Sequence, residues 1–357
     1  MPRRLFALLL AAGSAFAQEQ QSSPQETSPA QAQLAQPEAR QNDAQTKISV
    51  NSDLVVVPVT VKDRFGELVP DLQENEFRIF DENVEQSINV FTAEAFPLSL
   101  VVLIDDDLKS KDAAQMAPSL RAILAGISAS DEALICRFDL YFHPGERFSS
   151  DIDKLWADLK DAQDHSAPST AGPVPWVTSP SAHPRGVGEP SVAVQTNAGA
   201  RSTKALDDAI HSAADLLHDR GLARRKIILI ISDGVNGPQF NHYTYGDSLE
   251  ALLHDNISVY SLAVGNSLSK HKFARLLNYA NDTGGDIYYA ATRNAMERFY
   301  SQITEEARHE YTLAYVPRGI KHNSIYHKVE VRVARDAVTI KTRQGYFTTP
   351  LAGPPHP

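Results

Sequence analysis

An α/β fold, with a doubly wound and mostly parallel sheet inserted in a β-sandwich, is predicted for this chain by three observations. Apolar runs at 99–104, 133–138, 226–232, 258–264 and 286–290 alternate with helical spacing at 116–127, 203–218, 248–253 and 273–280. The runs carry few polar interruptions, which suits strands covered by helices on both faces. Strand-rich pieces with alternating patterning lie before and after this region, at 50–95 and 309–348, and neither alone has enough strands to bury a sheet face.

The chain opens with Arg3 and Arg4, an apolar core at 5–12 and Ala15-Phe16-Ala17, the layout of an export signal over 1–17 with cleavage expected after Ala17. That core is shorter than the ~20 residues of a membrane span, and Gly13 and Ser14 interrupt it. The mature chain is therefore expected to be secreted or periplasmic, without a transmembrane segment. Residues 18–47 are rich in Gln, Ala, Ser and Pro and lack the aromatic and β-branched content that repays ordering, so a disordered leader is expected.

Residues 48–96 form the N-terminal part of the expected sandwich. They hold the β-branched run Leu54-Val55-Val56-Val57-Pro58-Val59-Thr60-Val61, a turn at Asp63-Arg64-Phe65-Gly66, and a strand-then-turn at 77–83. The α/β domain is expected over 97–308, closed by a helix at 295–308. Within it, 161–200 carries Pro168, Pro173, Pro175, Pro180, Pro184 and Pro190, which argues an irregular insertion. Strands at 311–316, 326–334 and 337–343 supply the C-terminal part of the sandwich over 309–348, where Tyr346 and Phe347 are expected in packing. Residues 349–357 are a tail.

Composition narrows the function. The 357 residues are 42% apolar and 22% charged, with a formal charge of -10, so no positive field gathers nucleic acid. Cys136 is the single cysteine; it forms no internal disulfide, and its apolar setting, LICRF, suits buried packing. The histidines, among them His143, His211, His218 and His254, show no HExxH or zinc spacing and are expected at the surface.

Ligands of a doubly wound sheet bind at the carboxyl ends of its strands. After the first apolar run come Asp105, Asp106, Asp107, Leu108 and Lys109; after the 226–232 run comes Asp233-Gly234; and Thr203 stands between, in STKALDDAI. Carboxylates and a hydroxyl on one rim make an oxygen-rich pocket suited to a hard divalent cation, Mg2+ or Ca2+. Plainer readings exist for each residue: Asp-Gly as a turn, Thr203 as a helix N-cap, and Asp207 and Asp208 as acids favoured in a first helical turn.

In the order and spacing of VVVPVTVKDRFGELVPDLQENEFRIFDE, PLSLVVLIDDD, STKALDDAI, IILIISDG, ISVYSLAVG, TGGDIYYA, EYTLAYVP and IKTRQGYF, the chain resembles the von Willebrand factor type A domains. It is most similar to a bacterial secreted subgroup with β regions on both sides of the domain. The resemblance implies a metal-ion-dependent adhesion site: a D-x-S-x-S turn, a Thr before a helix and an Asp after the fourth strand. Asp105, Thr203 and Asp233 match. Asp107 stands in place of the first serine and Lys109 in place of the second, with Ser110 one position late. The implied metal ligands are Asp105, Asp107, Thr203 and Asp233, with the ammonium of Lys109 as the alternative that replaces the ion. Asp106, Lys109, Ser110, Ser202 and Trp176 complete the implied ligand rim.

The function this implies is that of a non-catalytic, exported binding or adhesion module, gripping a protein or other surface ligand through an acidic group such as a free carboxylate. Two alternatives stay open. Asp105 followed by Asp107 also resembles the nucleophile turn of haloacid-dehalogenase-type phosphohydrolases, although no second downstream acid accompanies Asp233. A metal-free scaffold binding through its β-sandwich is the other.

Overall fold

The computed structural model describes residues 54–165, 204–221, 223–265, 270–319 and 325–348, all within one unit. The expected export signal and leader, the insertion beyond residue 165, and the tail lie outside the described residues. In chain order, β1 (Val55–Lys62), β2 (Phe77–Asp81), β3 (Val84–Gln86) and β4 (Val90–Thr92) come first. An alternating region follows: β5 (Leu98–Asp105), α1 (Ser110–Met116), α2 (Arg121–Ala125), β6 (Glu132–Phe138), β7 (Phe142–His143), α3 (Ile152–His165), α4 (Leu206–His218), β8 (Arg225–Ser232), α5 (Tyr245–His254), β9 (Ile257–Val264), α6 (Ala274–Thr283), β10 (Ile287–Ala290) and α7 (Arg293–Arg308). The chain returns to β structure with β11 (Tyr311–Tyr315), β12 (Tyr326–Val333), β13 (Thr339–Thr342) and β14 (Gly345–Phe347).

The central sheet has the order β10-β9-β8-β5-β6-β7, parallel except for the short antiparallel β7. Counted from β5 this is 6-5-4-1-2-3, the doubly wound order with its reversal between β5 and β8. Every residue of β5 and of β9 is buried, because helices cover both faces. Val102, Ile104, Leu229 and Leu262 pack with Met116, Leu155, Tyr300 and Ile303 on one side. Val101, Leu103, Ile228 and Ile230 meet Leu206, Ile210, Ala213 and Leu217 of α4 on the other; those four recur at the three-to-four-residue interval of a single helix stripe.

Two local expectations are corrected. The helix read over 116–127 is broken into α1, a 3-10 turn at Ala117–Ser119 and α2, since Pro118 has no N–H to continue the ladder. Helix α3 was not expected, and its last residues enter the 161–200 stretch read as irregular; Leu155, Leu159 and Ala162 bury one stripe of it.

The flanking strands build two antiparallel sheets, β13-β1-β11-β4 and β14-β12-β2-β3, each combining strands from both sides of the alternating region. Val57 pairs with Leu313 across β1 and β11, and Ile79 with Val331 across β2 and β12. The alternating Val55, Val57, Val59 and Val61 meet Phe77, Ile79, Tyr311, Tyr315, Val331 and Tyr346 in a core of their own. The expected sandwich, with strands from both flanks, is therefore present.

Buried polar ties join this sandwich to the α/β region. The Lys62 ammonium lies 2.9 Å from Asp286, 2.8 Å from Glu306 and 3.1 Å from the Tyr288 hydroxyl. Arg343 donates to the carbonyls of Leu253 (2.8 Å) and Val56 (3.1 Å) and to Asn256 Oδ1 (2.8 Å). At the end of α6, Gly284 adopts φ +87°, and an added Cβ would stand 2.8 Å from the Arg343 nitrogen, so only glycine lets the β13–β14 connection pass this close.

Candidate functional site

Strands β5 and β8 are hydrogen-bonded neighbours, with Ile104 opposite Ile231. Their carboxyl ends, Asp105 and Ser232-Asp233, therefore sit side by side at the reversal of strand order. Helix α4 begins just beyond, and the residues entering it come over the same rim. The loop is pinned: the Gly237 N–H donates to the Lys204 carbonyl (2.9 Å) and the Ala205 N–H to the Asp139 carbonyl (2.9 Å).

This fixes the Lys204 side chain between the two acids. Its ammonium donates to Asp105 Oδ2 and to Asp233 Oδ1, both at 2.8 Å, with Lys204 2% exposed and Asp105 fully buried. Asp105 Oδ2 also accepts from Ser232 Oγ (2.6 Å), and Asp105 Oδ1 from the Asp107 N–H (3.0 Å). Asp233 Oδ1 accepts from the Val235 N–H (3.1 Å).

The electrostatics follow from that packing. Burial pushes the Asp105 carboxyl up to about 6, against the opposing pull of Lys204 and with a further push from Asp233. Burial lowers Lys204, but the two carboxylates outweigh it and hold the ammonium above the ordinary lysine value. The trio is two acids closed by one internal cation.

A divalent ion does not fit this arrangement. The point from which both carboxylates are reached is the ammonium nitrogen, and a metal bound at the ~2.0–2.6 Å of a hard cation would lie against it. The expectation that Lys109 replaces the ion is corrected on the same geometry: the cation between Asp105 and Asp233 is Lys204. Its signal was the lysine directly after Thr203 in STKALDDAI.

The other rim residues separate into groups. Asp107 has an exposed side chain, and its hydrogen bond to Asp105 comes from the backbone. The Asp106 carboxylate is 2.6 Å from Arg137 of β6. Lys109 precedes α1, and Ser110 begins it. Thr203, Ser202 and Trp176 lie outside the described residues. Asp207 and Asp208 are in the first turn of α4 and hold loops: Asp207 accepts from Tyr279 (2.8 Å) and Asn236 (2.9 Å), and Asp208 from the His242 and Tyr243 N–H groups (2.9 and 2.7 Å).

Beside the trio opens a cleft of about 250 Å³, lined by Lys109, Lys111, Asp112, Asp233, Gly265 and Lys272. All three lysines are exposed. Gly234, at φ +74°, brings the loop after Asp233 against the Lys272 carbonyl, which an added Cβ would approach to 2.6 Å. Elsewhere among the described residues, two groupings hold metal-ligand side chains: exposed His218 and His254 with Asp255, and Asp81 and Glu82 with buried His327. Cys136 is buried.

No protein-family model and no curated protein matches the chain. Solved structures similar to it include a von Willebrand factor type A protein from Catenulispora acidiphila (TM-score 0.42, 10% identity, 76% of this chain and 74% of that one). Also similar are BatB, a conserved hypothetical protein from Bacteroides thetaiotaomicron (0.41, 12%, 59% and 98%), and manganese-loaded TRAP from Plasmodium vivax (0.38, 11%, 74% and 100%). Likenesses this distant carry no conclusion about activity, and the fold stands on the strand order itself.

Proposed function

We propose that the chain is a von Willebrand factor type A protein acting as a non-catalytic, exported recognition module, with the rim at the ends of β5 and β8 as its binding surface. The observation that carries this reading is the closed trio beside an open, lysine-bearing cleft. Asp105 Oδ2 is engaged by Lys204 and Ser232 inside the protein, which leaves it a poor nucleophile and argues against the phosphohydrolase alternative. Lys109, Lys111 and Lys272 instead offer exposed ammonium groups to an acidic group of a protein or surface ligand. Export rests on the expected signal over 1–17; among the described residues no helix is long and apolar enough to cross a membrane.

Fluorescence anisotropy with a labelled hexaglutamate peptide tests the reading. Saturable binding that weakens with salt, and is lost in Lys109→Glu/Lys272→Glu, supports it. No binding, or binding indifferent to that double change, contradicts recognition of acidic groups at this rim. Phosphatase turnover abolished by Asp105→Asn would restore the enzymatic alternative. The sandwich-scaffold alternative gains if a natural partner still binds after the rim lysines are reversed.

A further inference from the structure

We propose that Lys204 is the resident cation of this site: it permanently replaces a divalent ion, the rim needs no metal, and removing this side chain uncovers a latent divalent-cation site. The latent ligands are Asp105 Oδ2 and Asp233 Oδ1, with water completing the set. The inference does not depend on which partner the rim binds.

Three observations carry it. The ammonium bridges two carboxylates, one at the end of β5 and one just after β8, at 2.8 Å each, so it does what a bridging cation does. The bridge is internal, with side-chain exposures of 2% for Lys204, 0% for Asp105 and 18% for Asp233, unlike a solvated surface pair of little consequence. Its position is also preset, because the Lys204 backbone is held by Gly237 on one side and its neighbour Ala205 by Asp139 on the other. A tethered cation of this kind cannot dissociate, whereas a metal ion leaves when its free concentration falls below its dissociation constant.

Charge makes the exchange unequal. One ammonium sets a single positive charge against two carboxylates where a divalent ion sets two. Deleting the ammonium leaves two acids facing one point, with the Ser232 hydroxyl on Asp105 Oδ2, a hard oxygen set with water to complete it, the donor class that Mg2+, Mn2+ and Ca2+ take. The Lys204→Ser change vacates the point without introducing another charge.

Isothermal calorimetry of the chelator-treated protein with MnCl2 and MgCl2 tests this on the wild type, Asp233→Ala, Lys204→Ser and Lys204→Ser/Asp233→Ala. Expected are no saturable uptake by the wild type at this site, saturable uptake by Lys204→Ser with a Tm that rises with metal concentration, and loss of both in the double variant. Wild-type uptake abolished by Asp233→Ala overturns the proposal. So does a folded Lys204→Ser that takes up no ion. If Lys204→Ser is unfolded without metal, Mn2+ must restore its melting transition, and failure to do so also overturns it. The hexaglutamate result bears on partner recognition alone and leaves these outcomes unaffected.

Discussion

The Lys204 ammonium stands 2.8 Å from Asp105 Oδ2, across 99 positions of sequence and at the meeting of β5, β8 and the approach to α4. Breaking a buried ion pair from one side leaves an uncompensated charge, typically a loss of about 3–5 kcal/mol. Lys204→Met is therefore expected to lower the unfolding free energy by an amount in that range, read as a lower urea midpoint, with Asp105→Asn added to it recovering part of the loss. A midpoint unchanged by Lys204→Met would mean the pair is not buried and bridging.

The same burial gives stability a pH signature. Asp105 stands at about 6 in the fold against 3.8 ordinarily, so between those values the folded chain holds a proton that the unfolded chain releases. Its contribution is full below pH 3.8 and is lost as pH rises through about 6, on the order of 2–3 kcal/mol. Urea melts across this window should show that decline superimposed on the other titrations, and Asp105→Asn should flatten it. Equal slopes in the two proteins would refute the assignment.

At the seam between sandwich and α/β region, Arg343 serves two backbone carbonyls and Asn256 in addition to the Gly345 carbonyl (2.8 Å). Replacing it with Met strands buried acceptors, each of which costs about 1–3 kcal/mol when left unsatisfied. Arg343→Met is expected to destabilise the chain by several kcal/mol and to speed proteolysis between α5 and β14. Native-like melting of this variant would show that the seam tolerates the loss.

Cys136 in β6 is buried, and burial pushes its thiol up to about 11. Its labelling by a thiol reagent at neutral pH should follow global unfolding and accelerate with urea in step with the melt. Prompt labelling of the native protein would contradict the placement of β6 inside the sheet.

The strands of the central sheet were legible because both their faces are covered: sequences such as LVVLI and IILII have no solvent side on which to place a polar residue. The adjacency of Asp105 and Asp233 was legible for the same reason, since each follows the end of such a run. The broken helix around Pro118 could have been read from the proline itself. Helix α3 carries a clear stripe in Leu155, Leu159 and Ala162, but the proline-rich stretch after it dominates the local composition. Lys204 was the hardest to read. A lysine at the entry to a helix ordinarily extends to solvent, whereas here the backbone is held by Gly237 and Asp139 and the ammonium is paired with two rim acids; the D-x-D-x-K pattern drew attention to Lys109 instead.

The most direct test of the account is where a cation sits. Crystals of the protein grown with manganese and measured at the manganese absorption edge would be expected to show no anomalous peak between Asp105 and Asp233, and continuous side-chain density from Lys204 to both carboxylates. An anomalous peak within roughly 2.0–2.6 Å of both acids, with Lys204 turned away, would contradict it.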